Sequence, residues 1–146
     1  MLVKTITYED FNGTERTEDF MFNLTKTELV KLEHSIGGGL TEWIKRIVQA
    51  QDGKEILAVF ETIIKATYGV KSLDGRTFTK NDQVFEEFKG TNAYDKLYLE
   101  LVTDATAASE FLAGCMPKDM QADAKSAMQA EIKKHDDAAT IKKVES

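Results

Sequence analysis

At 146 residues and a net charge of −6, the chain has room for one packed core and lacks the surplus of Lys and Arg that phosphate-backbone binding draws on. Apolar content of 42% and charged content of 30% suit a globular domain, and no apolar run nears the roughly 20 residues that span a bilayer. Cys115 is the single cysteine, so no internal disulfide can form. The opening residues M-L-V-K-T-I-T-Y lack the basic-then-apolar pattern of a signal peptide, and together these features point to a reducing cytoplasm.

The first 24 residues predict a β-hairpin, because Asn12-Gly13 sits between two runs rich in Thr, Phe and Tyr. A two-residue loop would set Ile6 against Asp19 and scatter the apolar side chains over both faces. A three-residue loop over Phe11-Asn12-Gly13 pairs Leu2 with Phe22, Lys4 with Phe20 and Tyr8 with Arg16. That register gathers Leu2, Ile6, Tyr8, Phe20, Phe22 and Leu24 on one face, and burial of a single face decides between them. Gly13 is then the left-handed residue of a bulged turn opened by Asp10.

Helical signals follow. Thr25-Lys26-Thr27-Glu28 matches a capping box and opens a short helix bearing Leu29, Leu32 and Val30. Gly37-Gly38-Gly39 breaks the chain as a flexible connector, since no phosphate-loop pattern surrounds it. A helix over 41–51 carries Ile44, Ile47 and Val48, and Asp52-Gly53-Lys54-Glu55 makes a second capping box. The helix it opens has Ile56, Leu57, Phe60, Ile63, Ile64 and Tyr68 in one broad stripe, with Gly69 as its terminating glycine. That stripe is the expected centre of the core.

Val70 to Lys80 reads as a loop turning at Asp74-Gly75 and pinned to the helices by Phe78. A calcium loop fails there, because Arg76 and Phe78 occupy the ligand positions that should carry oxygen. Three more helices are predicted: about 82–89 with Val84, Phe85 and Phe88, then 91–102 with Tyr94, Leu97, Tyr98 and Leu101. The third starts near Thr103-Asp104, carries Ala107, Ala108, Phe111 and Leu112, and stops at Gly114 ahead of Pro117. Tyr94 and Tyr98 are expected in the core, since no basic groove accompanies them to hold nucleic acid.

The fold class expected is mainly α (α+β): an N-terminal hairpin followed by a compact bundle of six to seven short helices. Residues 1–117 form a single globular domain. Residues 118–146 form a C-terminal amphipathic helix and a charged, partly disordered tail, in which Met120, Ala124, Ala127, Met128, Glu131 and Ile132 make a thin Met/Ala stripe. That stripe either caps the domain or faces a partner.

No catalytic constellation emerges, so no catalytic residue, cofactor or metal is assigned. His34 and His135 are far apart without metal-ligand spacing, Cys115 has no neighbouring base, and Glu9-Asp10 and Glu86-Glu87 are adjacent acids that point apart.

One set of residues carries a resemblance. Tyr68-Gly69, Lys71-Ser72, Asp74-Gly75-Arg76, Phe78 and Lys80 are followed by Thr91, Ala93-Tyr94, Leu97, Glu100-Leu101, Thr103-Asp104, Phe111 and Pro117. With Asp10 to Gly13 and Phe20 to Leu24, their order and spacing over about residues 4–120 resemble the tail assembly chaperones of long-tailed (siphovirus-type) bacteriophages and prophages. The resemblance implies a non-catalytic protein that binds the tape measure protein and recruits tail tube subunits in the host cytoplasm, absent from the mature virion. It leaves self-association open, and it calls for neither nucleic acid nor membrane. The partner-binding residues it suggests on the Met-rich segment are Met116, Met120, Met128 and Ile132. Genes of this type often give a longer second product by frameshifting. A slippery A-rich codon run would fall at Lys133-Lys134 or Lys142-Lys143, making this chain the short product. The alternatives are a structural tail protein (tube or completion subunit) or a small prophage-encoded regulator or host-interaction protein.

Overall fold

The computed structural model describes residues 1–36, 45–49 and 55–145. The predicted triple-glycine connector, Ile44 and the start of its helix, and Asp52 to Lys54 of the second capping box lie outside the described residues.

Strands β1 (Leu2–Glu9) and β2 (Glu15–Phe22) pair antiparallel with Leu2 opposite Phe22, Lys4 opposite Phe20 and Tyr8 opposite Arg16. This is the register that a three-residue loop imposes. Gly13 takes φ +80°, and Asp10 Oδ1 accepts the N–H groups of Asn12 (2.9 Å) and Thr14 (3.0 Å). The other oxygen of Asp10 receives Arg16 Nε at 2.7 Å, and that hydrogen bond holds the Asp10 carboxyl below its ordinary pKa. Ile6, Tyr8 and Phe22 are buried on the inner face. The outer face carries Thr5 against Asp19 (2.6 Å) and Thr7 against Thr17 (2.9 Å).

Helix α1 (Lys26–Ile36) starts with the predicted reciprocal cap: Glu28 N–H donates to Thr25 Oγ1 (3.1 Å) and Thr25 N–H to Glu28 Oε1 (3.0 Å). Leu29 is buried beneath it, whereas Val30 turns to solvent. Residues 45–49 are helical (α2), with Ile47 and Val48 buried. Helix α3 (Glu55–Thr67) supplies Phe60, Ile63 and Ile64 to the core, while Leu57, at the margin of the same stripe, is half exposed.

The sequence reading carried this helix through Tyr68 and made Gly69 its cap, and the structure corrects both points. α3 stops at Thr67, and β3 (Tyr68–Lys71) pairs antiparallel with the end of β2, Met21 opposite Gly69 and Phe22 opposite Tyr68. Asn23 N–H reaches Thr67 O at 2.8 Å, and the Tyr68 ring stacks on Phe88 at 4.2 Å; tertiary partners thus capture the chain before another helical turn can form. Gly69 is needed for close approach. A Cβ there would lie 2.6 Å from the Phe78 ring.

The loop between Val70 and Lys80 is a second hairpin, with β4 (Phe78–Thr79) beside β3, so the described residues form one sheet in the order β1-β2-β3-β4. Its turn does fall at Asp74-Gly75, with Gly75 at φ +77° and Asp74 Oδ1 accepting Ser72 Oγ (2.7 Å) and Arg76 N–H (3.1 Å).

Helices α4 (Asp82–Lys89), α5 (Asn92–Thr103) and α6 (Ala105–Cys115) cover the inner face. Asn81, Thr91 and Asp104 cap their N-termini through side-chain oxygens. Phe22 meets Phe111 edge-on at 4.9 Å, and Leu97, Leu101, Phe85 and Phe88 complete the core. A 3-10 turn (Lys118–Met120) leads into α7 (Gln121–Glu145), which at 25 residues is the longest helix described. Helical conformation thus runs through the segment whose composition suggested partial disorder. Hairpin first, then mainly helices: the architecture is the α+β class that the patterning predicted.

Candidate partner-binding surface

The four residues singled out for partner binding separate into two pairs. Met116, the C-cap of α6, is 0% exposed and Met128 is 1% exposed, so both belong to the domain core. Met120 and Ile132 are half-buried at its rim. Met120, at the end of the 3-10 turn, and Ala124, Met128 and Ile132 on α7 recur every fourth residue. They therefore form one ridge, and that ridge packs on α6 with Ala124 fully covered at its middle. Small and adaptable side chains alternate along it, which lets the helix lie close to a neighbour rich in Ala, such as α6.

Among the described residues, the polar contacts that fasten this arm to the domain lie at its start. Gln121 Nε2 donates to Met116 O (3.0 Å) and Gly114 O (3.3 Å), taking up carbonyls left open at the end of α6. Lys26 Nζ meets Asp119 at 2.6 Å on the surface, and that contact holds the Asp119 carboxyl below its ordinary pKa. Exposed ion pairs of this kind contribute little to stability, because water screens them. Farther along, Ile132 lines a shallow groove of about 340 Å³ with Thr106, Ser109, Glu110, Gln129 and Lys133. Lys133 and Asp137, which also line it, and Lys134 are exposed.

The groups weighed for catalysis stay apart. Cys115 is buried, its thiol pushed up to about 12 by loss of solvation, which makes it a poor nucleophile. His34 is exposed on α1, and the His135 side chain lies outside the described ones. Tyr94 is a core residue edge-on to Phe88 at 5.4 Å, its phenol raised to about 12 by burial; Tyr98 donates to Leu57 O at 2.8 Å. Among the described residues no cluster of His, Cys, Asp and Glu is suited to a metal, and no helix is long and apolar enough to cross a membrane.

Sequence reasoning missed Lys80 as an organising group. Its Nζ donates to Asn23 O (2.5 Å), Glu28 Oε2 (2.8 Å) and Ala66 O (2.9 Å), so one ammonium ties the end of β2 to α1 and α3. A lysine following a Phe-Thr pair has no local signature of that role, because all three acceptors come from distant segments.

No curated protein and no solved structure matches the chain. The family model described as phage tail assembly chaperone matches residues 1–146, the full length over which the hairpin, the helical body and the α7 arm extend, and the chain belongs to that family.

Proposed function

We propose that this protein is a non-catalytic chaperone of tail morphogenesis. In this reading it binds the tape measure protein and tail tube protein in the host cytoplasm, and it is left out of the finished virion. The observation that carries the reading is the attachment of α7, which rests on the domain through one Met/Ala ridge while its rim residues Met120 and Ile132 stay accessible. A long apolar helical partner can engage those rim residues first. It then takes the place of α6 against Met128 as the arm lifts, uncovering Met116. Methionine repacks against varied apolar side chains, and many weak contacts along one long chain add up through avidity.

The test is co-purification with a tape measure fragment. Carrying Met120→Asp and Ile132→Asp together should weaken binding at least tenfold while the circular dichroism spectrum is kept, since both side chains sit at the rim. Retained binding would move the contact off α7. Mass spectrometry of purified virions addresses the second reading, because a stoichiometric copy in the particle would make the protein a structural tail subunit.

A further inference from the structure

The two edges of the first hairpin are treated differently. Asp10 N–H donates to Thr14 O at 2.8 Å, which sets the alternation of the ladder: even-numbered residues of β1 and β2 bond to each other, and odd-numbered ones direct N–H and C=O outward. Along β1 the outward carbonyls of Thr7 and Glu9 are covered by α5, where Asn92 Nδ2 donates to Glu9 O (2.8 Å) and Lys96 Nζ to Thr7 O (2.5 Å). Along β2 only the lower end is covered, by the pairing of Met21 with Gly69 and by Asn23 N–H on Thr67 O. β3 then diverges. Glu15, Thr17 and Asp19 are exposed, and among the described residues their outward backbone groups make no hydrogen bond. Exposed edges are normally blunted, and near the turn this hairpin blunts its β1 edge and leaves its β2 edge open.

The open edge has a distinct chemistry. Between Glu15 and Asp19 stand three acids and one arginine, and Arg16 is already engaged by Asp10 at 2.7 Å. Glu9 lies directly opposite Glu15 on the outer face, a like-charged cross-strand pair that a neighbouring cation would relieve. Where β3 leaves β2, a cleft of about 290 Å³ opens, with Phe20, Tyr68 and Val70 among its walls and Lys71 on its far side. We propose that β2 from Glu15 to Asp19 is a strand-addition site for an extended, basic segment of a protein partner. The segment bonds to the backbone of Glu15, Thr17 and Asp19, sets Lys or Arg at alternate positions beside Glu15 and Asp19, and places an apolar residue in the cleft. The site lies on the sheet edge and uses none of the α7 residues, so it stands or falls separately from the binding described above.

The probe is an acetylated, amidated heptapeptide alternating lysine with valine, followed by amide hydrogen exchange and NMR titration on the full chain. In the free protein the amides of Thr17 and Asp19 should exchange at least tenfold faster than those of Glu18 and Phe20, and saturating peptide should slow them at least tenfold. N-methylation of the peptide on its edge-facing residues keeps the charge but removes the donors, and should abolish the protection. Thr17→Pro deletes an N–H that the β1 ladder does not use, and should do the same with the hairpin retained. If Thr17→Pro fails to fold, Asp19→Lys, on an exposed position, should weaken binding at least fivefold. Peptide binding without protection of Thr17 and Asp19, or equal binding of the N-methylated peptide, would overturn the proposal. So would self-association of the chain that Thr17→Pro abolishes, since the occupant would then be a second copy.

Discussion

Lys80 Nζ lies 2.8 Å from Glu28 Oε2, and the other oxygen of the same carboxylate closes the cap of α1 by accepting Thr25 N–H at 3.0 Å. One glutamate thus couples a local helix start to a contact made 52 residues away. Lys80 is little exposed, so Lys80→Met strands two carbonyls and a carboxylate without their donor. We expect a loss of about 2–4 kcal/mol in urea unfolding. A Glu28→Gln, Lys80→Met cycle should show coupling of roughly 0.5–3 kcal/mol, and strictly additive losses would mean that the pair does not act together.

The same carboxylate predicts a pH dependence. Burial works against the charge of Glu28, but hydrogen bonds from Lys80 and Thr25 outweigh it and hold the pKa below the ordinary glutamate value. A depressed folded pKa means stabilisation that is present above the unfolded value of about 4.3 and lost as pH falls through the folded one. Melting temperature should therefore drop more steeply below about pH 5 in the wild type than in Glu28→Gln, which keeps a capping side chain. Parallel curves through the acid range would rule this out.

Gly69→Ala should displace the Phe78 ring, since the new Cβ would meet it at 2.6 Å. Phe78 is partly exposed and can swing aside, so a cost of about 1–3 kcal/mol is expected. Combining it with Phe78→Ala should cost less than the sum of the single changes. If the losses simply add, close approach is not what demands the glycine.

Phe60→Ala opens a cavity in the middle of the core, where the ring is 1% exposed, and should cost about 3–5 kcal/mol. A loss under about 1 kcal/mol would place α3 at an unoccupied surface instead.

Cys115 reports on the α7 arm. Its thiol is buried and raised to about 12, so native protein at neutral pH should react with a thiol reagent on the order of 100-fold more slowly than an exposed cysteine. Met128→Asp, which puts a charge into the packed ridge, should speed labelling markedly if α7 covers the core by local opening and closing. Unchanged rates in that variant would separate Cys115 access from the arm.

The parts of this protein that sequence alone determined are those written in adjacent residues. The hairpin register follows from period-two burial together with Asn12-Gly13, the cap of α1 from Thr25 and Glu28, and the core helices from spacing such as Phe60, Ile63 and Ile64. Tertiary structure decided what depends on distant partners. Tyr68 could continue a helix by its own periodicity, and only Met21, Phe22 and Phe88, brought alongside by folding, draw Tyr68–Lys71 into the sheet. The Met/Ala stripe of α7 was legible, but its division into a covered Met128 and a rim Ile132 was not, because the width of the contact is set by α6. The open edge of β2 was likewise hidden in the sequence. Whether a strand is covered depends on how far its neighbour runs beside it, and β3 pairs with β2 only through Tyr68 and Gly69 before its ladder with β4 begins at Val70.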